Sequence, residues 1–102
     1  MSEQSEKMIV SPVVCAWADV DHDNYKIEIQ LPGVDKETIK LKMHEDSYFI
    51  KGETDAIVYI GSYAVCCEVK PEEAKAEYKN GLLKIEVPFR KPMEGAIEVK
   101  IE

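Results

Sequence analysis

Apolar residues occupy alternate positions along most of this chain, which is the period of strands with one buried face. The clearest run is Tyr25-Lys26-Ile27-Glu28-Ile29-Gln30-Leu31, with apolar odd positions and polar or charged even ones. Leu83, Ile85 and Val87 alternate with Lys84 and Glu86 in the same way, and Ile39, Leu41 and Met43 alternate with Lys40 and Lys42. Further strands are predicted over 13–20, which carries Trp17, and over 48–50, 57–60 and 63–69. Ile97, Val99 and Ile101 repeat the alternation at the end of the chain.

Turn residues separate these runs. Asn80-Gly81 sits between two of them, and a tight type I′ hairpin turn needs positive φ at both central positions. Pro32-Gly33 ends the clearest strand, Gly61-Ser62 punctuates the 57–69 stretch, and Pro88 removes a ladder donor. Pro71 suits the first position of a single helical turn over 71–75, too short to be stable by itself. Residues 1–8 read as a polar arm, and 90–95 as a loose connection. Short strands between turn signals, with almost no helical period, predict an all-β antiparallel sandwich of seven to eight strands, immunoglobulin-like in architecture.

A length of 102 residues fits one domain with an adequate core. The net charge of −7 and a single arginine, Arg90, argue against nucleic acid, which needs clustered cations to displace counterions. No apolar run is long enough to span a bilayer, and the start is polar and acidic rather than signal-like, so cytoplasmic residence is expected. Three cysteines cannot all pair with each other. Cys66 and Cys67, adjacent on a predicted strand, are expected to point to opposite faces as reduced thiols filling core or interface space, like Cys15.

Catalytic chemistry is thin. The serines lie outside any nucleophile elbow, and the five glycines are scattered singly, so no phosphate-cradling loop is present. The stretch from Asp19 to Asp23 begins like a calcium loop but has Asn24 and Gln30 where glycine and glutamate are required; a solvated turn is expected. His22 and His44 have no ligand spacing to each other or to the cysteines. No enzyme, no metal and no cofactor is expected. Trp17 is read as a packing residue or an interface anchor.

Three fragments then combine. Leu31-Pro32-Gly33-Val34, Ile50-Lys51-Gly52-Glu53 and Ala76-Glu77-Tyr78-Lys79-Asn80-Gly81-Leu82-Leu83 follow in an order that resembles the α-crystallin domain of the small heat shock proteins. The resemblance covers about residues 12 to 101 and implies an ATP-independent holdase for unfolding proteins. It divides the chain into a short arm (1–10), an α-crystallin-like domain (11–91) and a C-terminal tail (92–102). Ile97 and Val99 resemble that family's I-x-V plug, which adds a strand to a neighbouring protomer by β-augmentation. A final strand of the domain's own sheet, or an intramolecular plug, is the competing reading, because Ile101 continues the period. The matching groove would be lined by Ile39, Leu41, Met43, Ala76 and Tyr78, each of which the pattern equally allows as core.

The chain also departs from that family. Only nine residues separate Glu53 from Tyr63, where the family places a long excursion that swaps into a partner, and the following strand lacks the usual arginine. A short hairpin folding back on its own sheet is expected instead, in a monomer, dimer or small homo-oligomer that binds unfolding clients and self-associates through its tail, without nucleic acid or membrane. The alternative is a CS-type co-chaperone adaptor, a similar sandwich that binds one folded partner.

Overall fold

The computed structural model describes residues 6–21, 23–91 and 96–102. His22, the start of the polar arm at 1–5 and the loose stretch at 92–95 lie outside the described residues. Eight strands form: β1 (Met8–Val10), β2 (Val13–Ala18), β3 (Asn24–Gln30), β4 (Lys40–Met43), β5 (Ser47–Glu53), β6 (Ile57–Ala64), β7 (Lys75–Lys79) and β8 (Leu82–Pro88). They make two four-stranded sheets, ordered β1-β6-β5-β4 and β2-β3-β8-β7. All pairs are antiparallel except β1 with β6, which is parallel. The expected sandwich is present.

Its core follows from the alternation. Tyr25, Ile27 and Ile29 on β3 oppose Val87, Ile85 and Leu83 on β8, and all six are buried. Tyr48 and Ile50 contribute from the other sheet, with Leu31, Val34 and Val69 from connecting segments. The cluster contains no buried polar side chain among the described residues.

The Asn80-Gly81 turn signal has the backbone it requires. Asn80 has φ of 53° and Gly81 of 80°, which closes the β7–β8 hairpin as a tight turn. The β5–β6 hairpin folds back on its own sheet, with Glu53 opposite Val58 and Ser47 opposite Ala64. Thr54 closes it: its hydroxyl accepts from the Ala56 and Ile57 N–H groups.

Three expectations are corrected. Gly61-Ser62 does not break the chain, and β6 runs continuously through it to Ala64. The Tyr63 ring fills the space that a Gly61 side chain would take. The strand expected over 63–69 is therefore absent as a unit, and only Val69 bridges, to Phe89. Cys66 and Cys67 lie in a bend, and all three cysteines are free and exposed rather than core. The neighbouring Cys67 side chain, with some desolvation, pushes the Cys66 thiol up. Third, Lys36–Thr38 forms a 3-10 turn, so β4 starts at Lys40 and Ile39 precedes it in extended backbone. Ile97 to Ile101 joins neither sheet, so the competing reading of a final strand in the domain's own sheet is not met.

Strand β1 falls within the stretch read from sequence as an arm. Its Met8 N–H donates to the Ala56 carbonyl at 2.9 Å. Lys7 donates to Glu53 Oε1 at 2.9 Å, and this bond holds the Glu53 carboxyl below the ordinary glutamate range.

Candidate binding site at the sheet edges

The three sequence fragments, far apart in the chain, meet at one place. The Tyr78 hydroxyl shares its one proton between the carbonyls of Leu31 and Val34, at 2.7 and 3.0 Å. The Leu31 N–H donates to the Gly81 carbonyl at 2.8 Å. Asp35 N–H reaches the Glu53 carbonyl at 3.3 Å, and Thr38 Oγ1 accepts from Glu53 N–H at 3.0 Å. A Cβ placed on Gly52 would lie 2.9 Å from Val34 Cγ1 and 3.6 Å from Ile39 Cγ1. Thus Val34 and Ile39 seat over a strand position that has no side chain. The connection from β3 to β4 is pinned to both sheets, and this fixes where β4 runs.

Strands β4 and β7 are outer strands, one in each sheet. Leu41 and Met43 lie opposite Ile50 and Tyr48, so they share the inward side of β4. Ala76 and Tyr78 lie opposite Ile85 and Leu83 and share the inward side of β7. Leu41, Met43, Ile39 and Tyr78 are half-buried and pack against the core, with Ala74 beside them. Ala76 faces inward yet is exposed, since its methyl is too short to close the margin. Ile39, Leu41, Met43 and Tyr78 are thus partly buried against the same apolar core.

Sequence reasoning could not find the Tyr78 hydroxyl bonds, because both acceptors are backbone atoms more than forty residues away. Removing that hydroxyl by Tyr78→Phe leaves the Val34 carbonyl short of a partner. A loss of about 1 to 2 kcal/mol is expected for this part-buried pair, read from the urea midpoint. No measurable loss would mean that water replaces the hydroxyl without cost.

The edges differ in polarity from the face they border. Lys40 and Lys42 alternate on β4, and Lys75, Glu77 and Lys79 on β7. The margins are thus basic in an acidic chain. The two plug residues are not brought to these edges within the chain: Ile97 and Val99 stand 85% and 78% exposed. Trp17 is 42% exposed on β2. Among the described residues no group of three or more His, Cys, Asp or Glu side chains is arranged to hold a metal ion. No helix among them is long and apolar enough to cross a membrane.

Residues 18–102 match the Hsp20/alpha crystallin family. The chain is similar to the probable 15 kDa heat shock protein of Leptospira interrogans, 27% identical, over 99% of this chain and 89% of that protein. It is also 28% identical to the mitochondrial 26.5 kDa heat shock protein of Arabidopsis thaliana, over 78% of this chain and 43% of that one. Among solved structures, heat shock protein 16.0 from Schizosaccharomyces pombe superposes with a TM-score of 0.72 at 16% identity, covering 91% of this chain and 76% of the other. HspA from Xanthomonas axonopodis gives 0.67 at 21% identity, covering 83% and 97%. At such identities the likeness is one of fold.

Proposed function

Because this chain belongs to the Hsp20/alpha crystallin family, a family of chaperones, we propose that it acts as an ATP-independent holdase whose inward-facing edge residues cap apolar segments of unfolding proteins. The observation that carries this reading is the partial burial of Ile39, Leu41, Met43 and Tyr78 along two outer strands. Covering them yields roughly 25 cal/mol per Å² of apolar area, and the strand margins offer backbone bonds besides. Such capture needs no reacting group. The match to this family favours the chaperone reading, while the short β5–β6 hairpin is the observation that favours the adaptor alternative.

In this proposal the tail is the resident occupant of the same margins in a neighbouring copy. Ile97 and Val99 supply the alternate apolar knobs, and Glu98, between them, meets the lysines of β4 and β7. The arm (1–10), the domain (11–91) and the tail (92–102) then have separate roles. Cytoplasmic residence belongs to the same proposal.

The test is suppression of heat-induced aggregation of an unrelated protein without ATP, alongside light scattering. Deleting 96–102 should reduce particle size and increase client capture. Leu41→Asp should weaken capture about tenfold, the usual effect of losing a central apolar contact. The variant's circular dichroism must stay that of the parent. If the parent chain fails to protect, the holdase reading falls; if deletion leaves size and protection unchanged, the tail falls.

A further inference from the structure

Two thiols stand next to each other where β6 leaves its sheet. Cys66 and Cys67 follow Ala64 and Val65 in a bend, and both are exposed. Outside a strand, the alternation that sends neighbours to opposite faces does not apply to them. The bend is held on both flanks. Val65 N–H donates to the Asp46 carbonyl and Val69 N–H to the Glu45 carbonyl, each at 2.9 Å. Arg90 N–H donates to the Glu68 carbonyl at 2.8 Å, and Val69, fully buried, bridges to Phe89. Only the two cysteines lie between these anchors.

Both thiols also bear on one buried group. Burial first, then Cys66 and Cys67, push the Tyr25 phenol up, and the Tyr25 ring packs on Phe89 with centroids 5.5 Å apart. Cys15 is placed elsewhere. It lies opposite Glu28, three residues on from Tyr25 and so on the other face of that sheet.

Valence decides what such a pair can hold. A structural zinc site takes four protein ligands and a catalytic one three, and among the described residues no group of three or more His, Cys, Asp or Glu is arranged for a metal ion. A direct disulfide fits poorly as well. The Cα atoms of consecutive residues lie about 3.8 Å apart, below the span of roughly 4.4 to 6.8 Å that a disulfide usually bridges. An atom inserted between the sulfurs enlarges the ring and removes that strain. We propose that Cys66 and Cys67 together form a binding site for a trivalent arsenical, whose arsenic carries one carbon substituent and bonds both sulfurs.

The step is a condensation. Two S–H and two As–O bonds break, two As–S bonds form, and each thiol proton leaves with an arsenic-bound hydroxide as water. Arsenic stays trivalent, so no oxidant or reductant takes part. The reaction consumes protonated thiols, and the Cys66 thiol, pushed up by its neighbour Cys67 and some desolvation, keeps its proton near neutral pH. Divalent metals, which require thiolates, are disfavoured by the same shift. Once one sulfur has bonded, the second closes the ring within the same bend. Linked sites of this kind exceed single ones by a factor of roughly 10² to 10⁴. The pair shares no residue with the β4 and β7 margins or with the tail, so the site stands or falls apart from the holdase reading.

The probe is phenylarsine oxide, which hydrates to the dihydroxide in water, added to the folded full chain. Intact-mass measurement should find one arsenical per chain, retained against excess 2-mercaptoethanol and released by 2,3-dimercaptopropanol. Peptide mapping should place it on residues 66–67. Cys66→Ser and Cys67→Ser, both exposed changes, should each weaken binding about 100-fold, and Cys15→Ser should leave it unchanged. The proposal is overturned if the parent retains no arsenical against the monothiol, or if either serine variant at 66 or 67 binds as tightly as the parent. It is likewise overturned if Cys15→Ser abolishes binding, or if one arsenic joins two chains. Circular dichroism checks each variant's fold; should a serine variant fail to fold, retention and mapping in the parent decide.

Discussion

Truncating Ile85 to alanine should lower unfolding free energy by about 3 kcal/mol, within the span of roughly 2 to 5 for large-to-small changes in a dry core. Ile85 is 2% exposed. It lies on β8, between β3 and β7, directly opposite the fully buried Ile27. Its flanking inward positions are Leu83 and Val87, also buried, so the walls around a new cavity belong to paired strands that cannot easily collapse into it. Lys84→Ala, one residue away on the outer face, is the control and should stay within about 0.5 kcal/mol of the parent. Equilibrium urea unfolding measures both. A loss below about 1 kcal/mol at Ile85, against the typical cost of such a change, would mean that the space between the sheets is wet or loosely packed.

Strand identity was legible wherever a two-residue period ran between strong turn signals. Strand β3, the β7–β8 hairpin and the break at Pro32-Gly33 needed nothing but local chemistry. Local reading failed where a distant neighbour decided the outcome. At Gly61 the glycine signals interruption, but the Tyr63 ring occupies the vacant space and the strand continues. At Cys66-Cys67 the apolar composition predicts strand, yet the chain leaves the sheet after Ala64 to reach the Val69–Phe89 bridge. Strand β1 was not read because three residues carry too little period, and its partner β6 lies nearly fifty positions away.

The candidate site was half legible for a related reason. Alternation correctly puts Leu41 and Met43 on one face of a strand, and Ala76 and Tyr78 on one face of another. It cannot say that both strands are outermost, because strand order is a property of the assembled sheet. Partial burial follows from that order: an inward-facing side chain on an outer strand has neighbours on one flank and solvent on the other. The tail shows the converse. Its period is that of a strand, but Ile97, Val99 and Ile101 remain exposed, so within this chain the alternation has no sheet to join.

Gly52 links motif to architecture, and its substitution should be costly despite the small change. Gly52→Ala adds one methyl, which would lie 2.9 Å from Val34 Cγ1, nearer than such atoms can rest. Two effects oppose each other. Alanine loses less backbone entropy than glycine on ordering, a gain of roughly 0.5 to 1 kcal/mol; overpacking a full core costs roughly 1 to 3. Overpacking wins here because Val34 is 6% exposed and is held by its neighbours. Its own carbonyl accepts from the Tyr78 hydroxyl, and its N–H donates to the Leu31 carbonyl at 3.2 Å. The net expectation is a loss of about 2 kcal/mol. Val34→Ala alone should also destabilise, by about 1 to 2 kcal/mol through the cavity it leaves. In the double variant the added methyl enters the space vacated by the valine, so the combined loss should fall short of the sum by at least about 1 kcal/mol, as for residues in direct contact. Urea titrations of the four proteins measure that difference. Simple additivity would show that Gly52 is required for some reason other than the seat it leaves for Val34, and would unlink the two fragments that this contact joins.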